Sequence, residues 1–207
     1  MCRLSYVTEG FSPSDEALLA LPDTFTYSEA RRGGLTERQL YRLRDDGVIA
    51  VVGRGLFRRA DTTTFPDVDL LGIARRAPLA TLCLTSALAR HGLTDEIPAT
   101  IDVALPRGTY RPTVQAPVTW HLFDPDTFEI GRTTVPLDGQ ISIGLYDAPR
   151  SIIDAARLRH REGSELVYGA LRRWLSRRGS SPSELLAMAR RFPQSERTLR
   201  EAMEILL

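Results

Sequence analysis

The apolar and polar positions between residues 26 and 59 predict a capped amphipathic helix followed by a short hairpin. Leu40 and Leu43 fall on one helical face, because their spacing is close to one turn. Thr36 stands three residues before Gln39, so the two side chains can form a capping box at the helix start. The opposite face of this helix is polar and is formed by Arg38, Tyr41, Arg42 and Asp45.

The hairpin follows a glycine that predicts the end of the capped helix. Gly47 is suited to the left-handed backbone that often closes a helix. Residues 48–52 are then mostly apolar, residues 53–55 read Gly-Arg-Gly, and residues 56–59 resume an extended pattern. We therefore predict two strands joined by a tight basic turn.

Two further helices are predicted before the capped one. Ser14 can cap a first helix through residue 21, and residues 27–32 form the second. The short sequence Gly-Gly-Leu at residues 33–35 joins this second helix to the capped helix, as in a helix-turn-helix. The order of helices, glycine turn, capped helix and basic hairpin predicts a winged helix-turn-helix.

The charges of this segment favour a nucleic-acid partner. Residues 31–59 contain eight arginines and only three acids. A surface that contacts phosphates needs such an excess, and an arginine side chain can reach guanine in the major groove. The alternative interpretation is a helix pair that only packs and has a solvated arginine face. The added hairpin favours DNA binding. The eight residues are Arg31, Arg32, Arg38, Arg42, Arg44, Arg54, Arg58 and Arg59.

A second region begins after a turn-rich boundary at residues 60–66. We predict a helix over residues 67–76, then a short apolar run at residues 80–84, and a helix over residues 86–91 with Thr85 as its cap. Alternating patterns predict a small, mostly antiparallel sheet. Its predicted extended pieces are residues 101–105, 118–123, 127–130, 132–136 and 140–145.

From residue 148 the apolar period becomes helical and stays so to the end. Pro149, Ser181 and Ser195 mark helix starts, and Gly163 and Gly179 mark helix ends. The predicted fold class is α+β: a winged helix-turn-helix at residues 1–60, then a mixed helix and sheet part at residues 61–149 and a helical part at residues 150–207.

All 27 basic residues are arginine, and this composition excludes several classes of enzyme. Without lysine the chain cannot form a lysine Schiff base, a phosphate loop with its lysine, or a nuclease centre that combines two acids with a lysine. The net charge of +1 is distributed unevenly. Subtracting acids from arginines gives +1 for residues 1–60, −5 for residues 61–149 and +5 for residues 150–207.

No catalytic or metal-binding pattern is present. Cys2 and Cys83 match neither a disulfide framework nor a metal site, and the three histidines have no partner at ligand spacing. Asp102 and Asp154 are single carboxylates in apolar surroundings. We therefore expect no catalytic residues, no metal, no cofactor and no enzymatic activity. The cluster Arg172, Arg173, Arg177 and Arg178 is consistent with solvated helix surface or with nucleic-acid binding.

The chain also lacks membrane and export signals. The longest apolar candidate, residues 77–89, is interrupted by Pro78 and by threonines. The first 11 residues have no sustained apolar core of the kind a signal peptide needs. We therefore expect a cytoplasmic protein with no membrane partner.

Three stretches of the sequence resemble the AbiEi-type antitoxins of bacterial type IV toxin-antitoxin systems. The most specific stretch is residues 85–112, in which a helical segment precedes a strand and the sequence Leu-Pro-Arg-Gly. The resemblance covers nearly the whole chain. Its three stretches read GLTERQLYRLRDDGVIAVVGRGLFRRA, TSALARHGLTDEIPATIDVALPRGTYRP and LYDAPRSIIDAARLRHREGSELVYGALRRWL.

The resemblance implies a DNA-binding repressor that binds inverted repeats in its own promoter. It also implies a C-terminal domain that neutralises a nucleotidyltransferase toxin without a stable complex. By matching position, Arg38, Arg42 and the wing residue Arg54 would contact DNA, with Tyr41 on the same face. The candidate phosphate contacts are Arg31, Arg32, Arg44 and Arg58.

Three alternatives remain open from the sequence. The first is a stand-alone winged-helix transcriptional regulator without a toxin partner. The second is a nucleic-acid-processing enzyme with its centre in the acidic middle region, where the acids are not paired by spacing. The third is a protein-interaction adaptor that uses the helical tail.

Overall fold

A computed structural model describes residues 12–62, 67–138, 141–193 and 195–206. Within these residues the chain forms two compact units. The first, unit 1, contains the described residues up to Val68 together with Asp138. The second, unit 2, contains residues 69–137 and the described residues from Ile141 onward.

Unit 1 has the predicted order of helices and strands, with one strand that the sequence pattern did not show. Its three strands pair antiparallel in the order β1-β3-β2. Strand β1 has only three residues, which is too short for an alternating pattern to be recognised. The elements are α1 (Pro13–Leu19), β1 (Thr24–Thr26), α2 (Tyr27–Arg32), α3 (Glu37–Asp45), β2 (Ile49–Gly53) and β3 (Leu56–Arg59).

Each helix of unit 1 begins at a capping box. The predicted box at Thr36 is confirmed, since Thr36 N donates to Gln39 Oε1 at 2.8 Å and Gln39 N donates to Thr36 Oγ1 at 3.3 Å. The cap predicted at Ser14 is wrong, because α1 begins two residues earlier, with Ser12 as its cap. Pro13 at the first helical position favours this start, since its fixed φ suits the helix and its missing N–H is not needed there.

The core of unit 1 lies between its sheet and its helices. The rings of Phe25 and Phe57 stack with centroids 6.1 Å apart, and both residues are buried. Leu40 and Leu43 of α3 are also buried, so the apolar face predicted for this helix is confirmed. Because burial of a leucine side chain contributes about 1.5–3 kcal/mol, this face fixes the orientation of α3 on the sheet.

The remaining elements, from α4 onward, alternate between helices and strands and end in a helical tail, as predicted. Helix α4 and strand β4 lead into the second sheet, and the last five helices follow β8. The elements are α4 (Val68–Arg76), β4 (Thr81–Leu82), α5 (Leu84–Arg90), β5 (Ile101–Pro106), β6 (Val118–Phe123), α6 (Pro125–Phe128), β7 (Arg132–Asp138), β8 (Ile141–Tyr146), α7 (Ala148–Arg157), α8 (Arg159–Glu162), α9 (Ser164–Leu175), α10 (Pro182–Ala189) and α11 (Ser195–Leu206).

The sheet of unit 2 has five strands in the order β6-β5-β4-β8-β7. Strands β4 and β5 pair antiparallel, but β5 pairs parallel with β6, and β4 pairs parallel with β8. The α+β fold class is confirmed, but the sheet of unit 2 is mixed, whereas a mostly antiparallel sheet was expected. Alternation along a strand reports which faces are buried and carries no information on the direction of its neighbours. The long connection at residues 107–117 makes the parallel β5–β6 pair possible.

Two local predictions in this region are wrong. Residues 127–130 were expected to be extended, but Pro125–Phe128 form the short helix α6, because Asp124 caps it by accepting from Asp126 N at 3.0 Å. Thr85 was expected to cap a helix over residues 86–91, but that helix, α5, begins at Leu84, and Cys83 is the residue that precedes it. Cys83 makes no side-chain cap hydrogen bond, so no cap residue marked this start.

The interior of unit 2 includes Cys83 as a small buried residue. Burial is the main cause that raises the pKa of the Cys83 thiol well above its ordinary value, and the negative charge of Asp102 raises it further. A protonated buried thiol is a poor nucleophile. Within the described ranges, no group of three or more histidine, cysteine or acidic side chains is placed to hold a metal ion. None of the helices described is long and apolar enough to cross a membrane.

Candidate nucleic-acid interface

Helix α3 is held on unit 1 by one face, which leaves the other face in solvent. Leu35, Leu40 and Leu43 are at most 5% exposed and anchor the helix and the turn before it. Leu35 N donates to the carbonyl of Ala30 at 3.0 Å, which closes the turn after α2. The side chains half a turn away are therefore the ones that a partner could contact.

Arg38 and Arg42 form the centre of this exposed face. They are four residues apart, so they lie one above the other on the helix surface. Both residues are exposed, and within the described part of the chain neither guanidinium has a hydrogen bond or ion pair. Each retains five N–H donors in a planar fork, which matches the O6 and N7 acceptors of guanine or a phosphate.

Tyr41 and Arg44 lie beside this pair and are held more tightly. Tyr41 is 39% exposed, and the guanidinium carbon of Arg44 lies 4.8 Å from its ring centroid. Arg44 also forms an ion pair with Asp45 at 2.7 Å. Arg44 must give up part of this pairing to neutralise a phosphate, so it is a weaker candidate than Arg38 or Arg42.

The end of α2 adds two exposed arginines. Arg31 Nη1 donates to the carbonyl of Leu35 at 3.1 Å, which holds its side chain along the turn between α2 and α3. Arg32 is exposed and has no bonded partner among the described residues. Glu37, at the start of α3, interacts with Tyr27. Desolvation is the main cause that raises the pKa of the Tyr27 hydroxyl, and the negative charge of Glu37 raises it further.

The hairpin predicted as the wing has Arg54 at its tip. Gly53 pairs with Leu56, so Arg54 and Gly55 form the two-residue turn. Gly55 has a φ of +68°, a left-handed value that favours glycine at this position. Its carbonyl accepts a hydrogen bond from Tyr27 N at 3.0 Å, which ties the tip to the start of α2. Arg54 is exposed, as a wing contact requires.

Arg58 corrects one sequence-based expectation. It was expected to contact a phosphate, but the residue is only 8% exposed and its Nη2 donates to the carbonyl of Thr62 at 3.4 Å. A buried guanidinium is not presented to a phosphate. Arg58 lies on β3, where three consecutive residues are buried. An alternating pattern of buried and exposed residues therefore could not predict its burial. Arg59 forms an ion pair with Asp61 at 3.0 Å.

The cluster of Arg172, Arg173, Arg177 and Arg178, at the end of α9 and just after it, is partly engaged within unit 2. Arg173 donates from Nη1 to Asp95 at 2.8 Å, and Arg177 donates from Nη2 to the carbonyl of Gly92 at 2.8 Å. These bonds connect α9 to the segment after α5. Arg172 and Arg178 are exposed. The contacts of Arg173 and Arg177 favour a structural role for those two side chains.

The comparisons with known proteins bear on unit 1. Residues 15–60 match the family model described as "Transcriptional regulator, AbiEi antitoxin". No curated protein matches the sequence. Among solved structures, the crystal structure of RV2827C protein from Mycobacterium tuberculosis has a TM-score of 0.44 and 13% sequence identity. That alignment covers 93% of this chain and 78% of the other, and a likeness at this level establishes neither function nor site.

The matched segment contains the arginine face from α2 to the wing. The resemblance seen in the sequence is thus confirmed for residues 15–60, and the remainder of the chain lies outside this match. The match supports a transcriptional regulator of the antitoxin class. In its N-terminal segment the protein is similar to the AbiEi antitoxin family of transcriptional regulators.

Proposed function

We propose that this protein is a repressor that binds double-stranded DNA upstream of its own gene through unit 1. Helix α3 enters the major groove, where Arg38 and Arg42 contact base edges and Tyr41 packs beside them. Arg54 of the wing contacts the adjacent groove or backbone, and Arg31, Arg32 and Arg44 contact phosphates. Two protomers occupy inverted repeats, since a repeated half-site matches a two-fold arrangement of protein.

One observation supports this proposal above the others. Arg38 and Arg42 are exposed and unbonded within the described residues, on the helix face opposite Leu40 and Leu43. A solvated surface helix commonly uses its arginines in ion pairs at four-residue spacing, as Arg197 and Glu201 do in α11. No acid stands four residues from Arg38, and although Asp46 stands four residues after Arg42, no ion pair joins these two side chains within the described residues.

Binding to the DNA upstream of this gene tests the proposal. We expect a mobility shift with that duplex and a weaker one with a scrambled duplex of equal length. The logarithm of the binding constant should fall with the logarithm of the salt concentration by about 0.9 per neutralised phosphate. Equal affinity for the two duplexes at every salt concentration would contradict sequence-specific repression.

We also propose that the protein acts in the cytoplasm as the antitoxin of a nucleotidyltransferase toxin, and that it does so without catalysis and without a stable complex. The support is the antitoxin description of the matched family and the resemblance of the later stretches. In a host that expresses a neighbouring nucleotidyltransferase gene, co-expression of this chain should restore growth. A failure to restore growth, with operator binding intact, would favour the stand-alone regulator.

A further inference from the structure

An open groove of about 410 Å³ lies along strand β6, at the edge of the sheet of unit 2. Val118 and Trp120 are two residues apart, so they lie on the same face of β6, and both line the groove. The chain that connects β5 to β6 supplies the rest. That connection contributes Arg111, Pro112, Thr113, Val114 and Ala116.

The groove combines aromatic and basic side chains. Trp120 is partly exposed within the groove, and Tyr110, which precedes the lining residue Arg111, is 79% exposed. Arg76, at the end of α4, donates from Nη1 to the carbonyl of Thr113 at 2.8 Å, which brings a second guanidinium to the groove. Trp120 also packs against the core of unit 2, so the aromatic surface open to a ligand is the ring of Tyr110 and the exposed part of Trp120.

The chain around the groove differs in charge from the rest of residues 61–149. Residues 61–149 contain eleven acids and six arginines, a net charge of −5. Residues 103–123, which comprise the end of β5, the connection and β6, contain no acid and include Arg107 and Arg111, both exposed; the one acid of β5, Asp102, is buried. None of the residues that line the groove is acidic. The groove is therefore suited to a polyanion.

From these observations we infer that the β6 groove, defined by Arg76, Arg111, Trp120 and the adjacent Tyr110, binds a single-stranded nucleic acid. An unpaired base stacks on Trp120 or Tyr110, and the guanidinium groups of Arg111 and Arg76 contact the neighbouring phosphates. Stacking on aromatic side chains with arginines along the backbone path is the physical basis of single-strand binding. A paired duplex keeps its bases within the stack, so it cannot use the aromatic rings in this way.

This inference is independent of the operator contacts in unit 1, and the experiment separates the two. The protein is the full chain with Arg38→Ala and Arg42→Ala, and the probes are fluorescein-labelled ten-nucleotide oligo(dT) and oligo(U). We expect binding of at least one probe, with quenching of tryptophan fluorescence. Tyr110→Ala should weaken that binding about tenfold, the order expected for one lost stacking contact. Trp120→Phe should remove the quenching, because the other tryptophan, Trp174, is buried.

A matched control distinguishes stacking from general charge. Arg111→Ala should weaken oligonucleotide binding several-fold, whereas Arg161→Ala, which removes an exposed arginine from α8, should not. A blunt duplex of the same length should bind less tightly than the single strands. No binding of either single strand would overturn the inference. Binding that causes no tryptophan quenching and is unaffected by Tyr110→Ala would also overturn the inference, since it would show only nonspecific electrostatic attraction.

Discussion

Replacing Arg38 and Arg42 together by Ala is expected to abolish specific binding to the upstream operator while unit 1 stays folded. Each lost base contact costs about 1–3 kcal/mol, so the pair costs about 2–6 kcal/mol if the two effects add. Each 1.4 kcal/mol corresponds to a tenfold change in the dissociation constant. The measurement is a mobility-shift titration of the operator duplex, with circular dichroism to verify the helical content.

Folding should be unaffected because both side chains are exposed and unbonded among the described residues, and because alanine favours a helix at least as well as arginine. The control is Arg161→Ala with Arg178→Ala, which removes two exposed arginines of unit 2 and so causes the same change in net charge. The control should retain operator binding. Equal losses in the two double variants would show that total charge, and not the face of α3, determines the affinity.

Replacing Arg150 by Met is expected to cause a large loss of stability. Arg150 is fully buried, and its Nε donates to Asp154 Oδ2 at 2.9 Å. Its Nη1 donates to the carbonyls of Thr127 and Ile130 at 2.7 Å and 2.6 Å. The guanidinium carbon lies 4.1 Å and 4.4 Å from the ring centroids of Tyr146 and Phe192. This side chain thus connects α7 to the α6 segment, to β8 and to the chain after α10.

Met has a similar length but cannot donate, so within the described residues the variant would leave buried Asp154 with Arg157, at 3.1 Å, as its remaining ion-pair partner. Removing one partner of a buried ion pair costs about 3–5 kcal/mol. The measurement is urea unfolding followed by tryptophan fluorescence. Trp120 and Trp174 both lie in unit 2, so the signal reports that unit.

Two further variants test the cause of that loss. Arg161→Met makes the same substitution at an exposed position of α8 and should change the free energy of unfolding by no more than about 0.5 kcal/mol. Arg150→Met combined with Asp154→Leu should be more stable than Arg150→Met alone, because no uncompensated carboxylate remains. A loss below about 1 kcal/mol for Arg150→Met would contradict the role assigned to this buried cluster.

The position of Gly131 illustrates how closely the chain packs around this cluster. A Cβ atom at Gly131 would lie 2.7 Å from Cβ of Arg150, and Gly131 has a φ of +69°. Any other residue there would meet both a strained backbone and a side chain that cannot move away. The sequence shows only a glycine after an apolar residue, so this constraint was visible only in the structure.

The sequence alone predicted most elements of unit 1, apart from the three-residue strand β1 and the cap of α1, and it predicted the exposed arginine face of α3. Thr36, Gln39, Gly47 and the turn at Gly55 act through neighbours within a few residues, so local chemistry was enough to place α3 and the wing. The division of α3 into an apolar face and an arginine face also follows from helical spacing alone. The predicted α+β class and the helical tail rest on the same local periodicity.

Only the tertiary structure decided which charged groups remain available. Arg58 was expected at the surface as a phosphate contact, and nothing in the local sequence marks Arg150 as a core residue, but long-range packing buries both of them. The direction of β6 relative to β5, and the groove that brings Arg76 to Thr113, depend on contacts between residues far apart in the chain. Such contacts cannot be recognised from the periodicity of the sequence, because the local pattern of each strand or helix is compatible with several tertiary arrangements.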